Sequence, residues 1–248
     1  MEKGKNVAVY CGSRYGINPA HTAFAGMAGE LLAKNGYTMI YGGGSVGLMG
    51  IAADAALAAG GKVVGIIPEV FIAAEQAHRL ITELIEVPDL MARKRKMIEA
   101  GDAFLILPGG FGTLEEFADT AVHYHIYTEE TNRPPIIIAN IEGIYDPLRA
   151  LFENWKSAEF ITADEWENIH FISSIKELLP LLPSKGNSLR LSCGRHFYLS
   201  GFRCPQEFPN IPSHFVFILY IFLFQRLAFH FIRLLLFTII YIFSDNTL

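Results

Sequence analysis

Short apolar runs alternate along this chain with longer segments in which apolar residues recur every three or four positions. The runs 7–11, 37–41, 62–67, 84–87, 103–107 and 135–139 are brief and nearly all apolar, as expected of strands buried on both faces. Residues 19–34 place Phe24, Met27, Ala28, Leu31 and Leu32 at helical spacing and stop at Asn35-Gly36. An Ala-rich stretch ending at Ala59, the basic segment 89–100 and residues 114–127 predict further helices, and helical segments fill 146–158 and 173–182. Pro68 closes the third strand, and a loop or short helix follows it.

Strands that alternate with helices connect by right-handed crossovers into a mostly parallel sheet with helices on both faces. The expected class is therefore α/β, a Rossmann-like three-layer α/β/α arrangement. The pattern breaks after Pro183, so residues 1–183 read as one domain. Residues 184–208 are polar and unpatterned, and 215–243 are almost entirely Phe, Ile, Leu and Tyr. Gln225, Arg226, His230 and Arg233 interrupt that apolar tail, so neither half reaches the ~20 residues that span a bilayer. Three readings of 184–248 stand side by side: a membrane-associating extension, an extra packed helix, or sequence from a frameshift or read-through.

The formal net charge of −5 argues against bulk nucleic-acid binding. The first strand is too short and too close to the N-terminus to serve as a signal-peptide core. Three cysteines, Cys11, Cys193 and Cys204, make no disulfide framework, which suggests a reducing cytoplasm.

Candidate chemistry lies in the turns after strands. Gly12-Ser13, residues 42–47 and residues 109–113 each follow one, and in parallel sheets ligands sit beyond the carboxyl ends of strands. In the last turn Gly109, Gly110, Phe111, Gly112 and Thr113 lead into a helix. A helix N-terminus offers unpaired N–H groups to an anion, and glycines remove the Cβ atoms that would block its approach. Thr113 is a candidate cap or phosphate donor. The plainer reading is a tight turn in which the glycines serve geometry alone.

Gly42-x-Gly44-x-x-Gly47 matches a dinucleotide fingerprint, but it follows the second strand. The acidic residue such a site needs could only be Glu69, just past Pro68. Arg93 and Glu116 flank the 109–113 turn. A guanidinium and a carboxylate beside a phosphate nest suit cleavage of a glycosidic bond through an oxocarbenium-like transition state. The alternatives are a solvated basic face for Arg93 and its neighbours, and a dipole-complementing pair for Glu115 and Glu116. His123 and His125, two apart on a helix, face different ways and suit structural roles better than a metal. Lys94 lacks the apolar pocket or pyridinium partner of a Schiff-base lysine.

The stretch from Pro108 to Glu116 resembles the PGGxGTxxE signature of the LOG family, the cytokinin riboside 5′-monophosphate phosphoribohydrolases. The resemblance extends to residues 9–13 and 41–50, to Arg93-Lys94 with Met97, and to Asp102-Ala103-Phe104, covering roughly residues 5–182. It implies hydrolysis of an N6-substituted adenosine 5′-monophosphate, or AMP itself, to free base and ribose 5-phosphate, without metal or organic cofactor. It implies Arg93 and Glu116 as the catalytic pair and Gly109, Gly110, Phe111, Gly112 and Thr113 as the phosphate nest. Glu75, Lys94, Glu115, Ser13 and Gly43 are the further substrate-binding candidates. It also implies a homodimer with sites near the subunit interface. Many members carry a lysine decarboxylase label that this chemistry does not support. Residues 122–125 and 128–133 depart from the plant pattern of a Trp followed by a Gly-His turn. The other reading of the same fold is a nucleotide or molybdenum-cofactor carrier that cleaves nothing.

Overall fold

A computed structural model describes residues 6–73 and 77–183. The readings of Glu75 and of the 184–248 tail fall outside the described residues. Among the described residues, seven strands form one sheet in the order β4-β3-β2-β1-β5-β6-β7, every pair parallel. They are β1 Asn6–Tyr10, β2 Thr38–Tyr41, β3 Lys62–Pro68, β4 Glu83–Val87, β5 Ala103–Ile106, β6 Ile136–Ala139 and β7 Ile169–Ile172. The helices are α1 Pro19–Lys34, α2 Gly47–Ala58, α3 Glu69–Ala73, α4 Leu90–Ala100, α5 Phe111–Tyr127, α6 Asp146–Ser157, α7 Ala163–Glu167 and α8 Leu178–Leu181.

Several elements differ from expectation, the short helix α7 and the start of α5 among them. β7 was not expected: it is a four-residue edge strand with His170 in its middle, and it follows the short helix α7. Too few alternating positions exist there for a period to emerge. The helix expected over 173–182 is instead a 3-10 turn, Ile175–Glu177, followed by the single turn α8.

Strand alternation divides the core between the two faces. From β1, Val7 and Val9 pack with Phe24, Leu32, Leu48 and Ala52 of α1 and α2. Ala8 and Tyr10 pack on the other side with Met97, Phe117, Tyr124 and Phe152 of α4, α5 and α6. The result is the three-layer α/β/α sandwich. On the first face α1 and α2 cross closely because Gly29 has no side chain; a Cβ there would lie 2.1 Å from the Ala52 carbonyl oxygen. Neither backbone can yield without moving its helix, so Gly29→Ala should cost about 1–3 kcal/mol. At ~2–4 °C per kcal/mol for a domain of this size, a thermal melt should fall by several degrees.

The chain leaves β1 toward β2 on one side and β5 toward β6 on the other. The β1–β5 pair is therefore the point where the winding reverses and where the loops part to leave a crevice. Among the described residues, no helix is long and apolar enough to cross a membrane.

Candidate active site

The three glycine turns meet at that crevice. The Gly12 N–H donates to the Pro108 carbonyl at 3.0 Å, and the Leu48 N–H donates to the Gly12 carbonyl at 3.1 Å. The first turn is thus hydrogen-bonded to both others. Gly47 makes the approach feasible: its φ is +65°, and a Cβ would lie 2.3 Å from the Ser13 carbonyl carbon. A cavity of about 690 Å³ opens between the turns.

The third turn begins its helix three residues earlier than the hydrophobic pattern indicates. α5 starts at Phe111, and its N-cap is Gly110, with no side-chain capping bond. Thr113 is therefore not the cap; it lies inside the first turn and is buried. Leu114 N–H is the first to bond back, to the Gly110 carbonyl at 3.0 Å. The N–H groups of Phe111, Gly112 and Thr113 stay outside the helical ladder, with the positive end of the helix dipole behind them. Gly109 is required by packing, since a Cβ there would sit 2.1 Å from Thr113 Oγ1. Gly110 and Gly112 have no atom within 4 Å of where a Cβ would project, so their bareness leaves open space at the nest.

Arg93 and Glu116 come together. α4 is set by the Asp89 N-cap, whose side chain accepts from Ala92 N–H; Arg93 lies one turn in. Its Nη2 donates to Glu116 Oε1, and the two side chains are only 15% and 9% exposed. Arg93 Nε is buried without a partner. Burial pushes the Glu116 carboxyl up to about 7; the Arg93 cation restrains that rise, Glu115 adds to it and Lys94 opposes it. The site therefore holds a carboxylate poised near neutrality against a fixed cation, beside an anion nest.

The remaining candidates divide. Ser13, Glu115 and residues 109–113 line the cavity with the pair. Lys94 and Gly43 do not. Lys94 Nζ is held between Asp119 at 2.6 Å and Glu115 at 2.7 Å, and both contacts raise its pKa. That environment fixes the proton, the opposite of what a Schiff-base amine needs. Gly43 is a backbone device: its φ is +76° and its carbonyl accepts from His78 N–H at 2.8 Å. His123 packs against Tyr124 and Tyr127, and His125 meets Glu165 at 3.3 Å. Among the described residues no group of three or more metal-ligating side chains is assembled.

Sequence reasoning missed Arg14, Tyr15, His21, Met49, Phe71 and Leu90, which also line the cavity. Arg14 had a signal, a cation in the first glycine turn. The apolar residues had none, because their spacing is that of core positions.

The family model described as "Possible lysine decarboxylase" matches residues 49–182. A cytokinin riboside 5′-monophosphate phosphoribohydrolase of Mycobacterium tuberculosis is 34% identical over 176 residues, 70% of this chain and 90% of that one. The chain belongs to the cytokinin riboside 5′-monophosphate phosphoribohydrolase family. A phosphoribohydrolase of the same name from Rhodococcoides fascians is 42% identical over 159 residues, 64% of this chain and 79% of the relative. A rice member, named as a probable enzyme of this activity, is 36% identical over 173 residues, 70% of this chain and 76% of the relative. The molybdenum cofactor binding protein of Rippkaea orientalis shares the fold at 22% identity with a TM-score of 0.55, covering 73% of this chain and 96% of that one. In this chain the turn before α5 and the Arg93–Glu116 pair line one cavity, whereas Lys94, held by Glu115 and Asp119, gives the decarboxylase label no chemical support.

Proposed function

We propose that this chain hydrolyses the N-glycosidic bond of adenosine 5′-monophosphates, N6-substituted or plain, releasing free base and ribose 5-phosphate. The observation that carries this reading is the buried Arg93–Glu116 pair beside an anion nest in one cavity. The phosphate takes the N–H groups of Phe111, Gly112 and Thr113, with Gly110 and Gly112 giving it room. Ser13 and Glu115 contact substrate from the cavity wall. Arg93 orients the substrate near the scissile bond. As the C1′–N9 electron pair leaves with the base, ionised Glu116 stabilises the positive charge at C1′ and positions water. Water oxygen bonds to C1′, and one proton ends on the base.

Product analysis tests this. The full chain, given AMP or N6-isopentenyladenosine 5′-monophosphate, should release base and ribose 5-phosphate, and Arg93→Ala should not. The corresponding nucleosides should turn over poorly, because the nest has nothing to hold. We place the activity in residues 1–183; the same assay on that segment should match the full chain.

The acting form of Glu116 is the anion, and its carboxyl is raised to about 7. Below that pH it is protonated, so kcat/KM should fall as pH drops through about 7 and level off above it. The substrate phosphate loses its second proton near pH 6, and a phosphorus NMR titration of the substrate separates the two limbs.

A carrier of a nucleotide or molybdenum cofactor needs the nest but not the pair, and the carriers share only the fold with this chain. A homodimer belongs to the same reading. Val122 and Ile126, one turn apart on α5, are 56% and 59% exposed and border an apolar cleft that includes Phe152 and Trp155. Light scattering should give twice the chain mass. A cytoplasmic location also belongs here, supported by three cysteines without a disulfide framework, and cell fractionation tests it.

A further inference from the structure

Glu116 must be held at one azimuth around α5, and the cap and first two residues of that helix give it no side-chain anchor. Gly110 caps it without a side-chain bond, Phe111 is 93% exposed, and Gly110 and Gly112 touch nothing through a side chain. The anchor lies one turn later and is buried. Thr120 Oγ1 donates to the Glu116 carbonyl at 2.8 Å. Tyr10 OH lies 2.9 Å from the same Oγ1. Thr120 has one hydroxyl proton, and it is spent on Glu116; the Tyr10 phenol is therefore the donor in the second bond. Burial pushes the phenol far above its ordinary range, so its proton stays in place. Tyr10 ends the central strand β1, and both residues are almost fully buried, Tyr10 at 2% and Thr120 at 0% exposed.

We propose that Tyr10 and Thr120 are positioning residues for the hydrolytic site: a hydrogen-bond chain from β1, Tyr10 O–H to Thr120 O–H to the Glu116 carbonyl, sets the turn of α5 that presents Glu116 to Arg93. Bonds in such a chain polarise one another. A threonine bonding back to the carbonyl four residues earlier also bends a helix slightly, and Tyr10 fixes that bend against the rigid centre of the sheet. Neither residue lines the cavity. This inference rests on the hydrolase reading for its kinetic readout but not for its spectroscopic one.

The variants are Tyr10→Phe, Thr120→Val and Thr120→Ser. The first two remove one hydroxyl each at nearly constant volume; the third keeps the hydroxyl and loses a methyl. Kinetics with AMP and with N6-isopentenyladenosine 5′-monophosphate should show kcat reduced roughly 5- to 30-fold in the first two, with KM within about twofold, and kcat largely restored in Thr120→Ser. The double variant Tyr10→Phe/Thr120→Val should be little worse than Thr120→Val alone, because one chain is being cut twice. Independently of turnover, carbon-13 NMR should follow the Glu116 carboxyl, assigned by its loss in Glu116→Gln. The ionisable groups that face it are Arg93 and Lys94 from α4, Glu115 from α5, and Tyr10 and Cys11 from the β1 side. A loosened turn should move its midpoint in Tyr10→Phe and Thr120→Val, downward where water reaches the carboxylate and upward where the Arg93 contact is lost, and should leave it in place in Thr120→Ser. Unchanged kcat and midpoint in both hydroxyl-deleted variants, even alongside a lower melting temperature, would overturn the proposal. An inactive wild-type protein whose Glu116 midpoint still moves in the variants would instead sink the hydrolase reading and leave the positioning chain standing.

Discussion

Replacing Glu116 with glutamine should lower kcat by roughly 10²- to 10⁴-fold, the range for loss of a positioned acid–base or charge-stabilising group. Shape and hydrogen-bonding capacity are nearly kept, so KM should change little. Stability should not suffer at neutral and alkaline pH. The folded carboxyl titrates near 7 against an ordinary 4.5. A carboxyl raised in this direction is most compatible with the fold when protonated. Its contribution to stability declines as pH rises from about 4.5 to about 7, and the deficit persists above. Glutamine never ionises and carries no such deficit. A melting temperature at pH 8 no lower than wild type, together with the loss of turnover, is the expected pair of results. A large drop in melting temperature would mean that Glu116 is chiefly a structural partner of Arg93. Near-normal turnover would remove it from the chemistry.

Gly47→Ala should damage both the fold and the site. The residue sits at φ +65°, where an L side chain costs about 1–2 kcal/mol. The new Cβ would also lie 2.3 Å from the Ser13 carbonyl carbon and 2.5 Å from the Arg14 nitrogen, both backbone atoms. Relieving that overlap adds roughly 1–3 kcal/mol. The melting temperature should fall by roughly 4–20 °C. The way the strain is relieved matters more. Pushing the 13–14 backbone away pulls Gly12 from Leu48 and from Pro108, the two bonds that tie the three turns together. KM for a phosphorylated substrate should therefore rise tenfold or more. Gly60→Ala is the matched control: its φ is +75° but nothing lies within 4 Å of the new Cβ. It should show the backbone cost alone, with KM unmoved. Equal behaviour of the two variants in thermal melts and kinetics would show that contact between the turns does not shape the nest.

Much of this architecture is legible in the linear pattern because parallel, doubly covered strands are short apolar runs and their crossovers are helices with punctuated ends. Asn35-Gly36 marks the end of α1, and Asp89 the start of α4, through local chemistry that needs no partner. β7 escaped because an edge strand of four residues, intermediate in burial at three of them, has no continuous apolar run to display. The start of α5 is not legible because residues 111–113 look like a loop by composition. They enter the helix because Gly109 packs against Thr113 and the turn is tied to the neighbouring loop.

The candidate site divides along the same line. The residue types at 93, 109–113 and 116 announce a cation, an anion nest and a carboxylate by themselves, and the spacing places them near one sheet edge. Composition alone also bounded the charge. What the linear chain does not contain is pairing. Arg93 takes Glu116 while its neighbour Lys94 is consumed by Glu115 and Asp119, although the two basic residues are adjacent in sequence. That choice is made by how α4 and α5 pack on β1 and β5, which turns Arg93 toward the cavity and Lys94 away from it. Likewise, only the folded sheet brings Tyr10 beneath Thr120, 110 residues apart. Local propensity reads distances of a few residues; burial, ionisation and hydrogen-bond direction depend on neighbours that tertiary packing alone supplies.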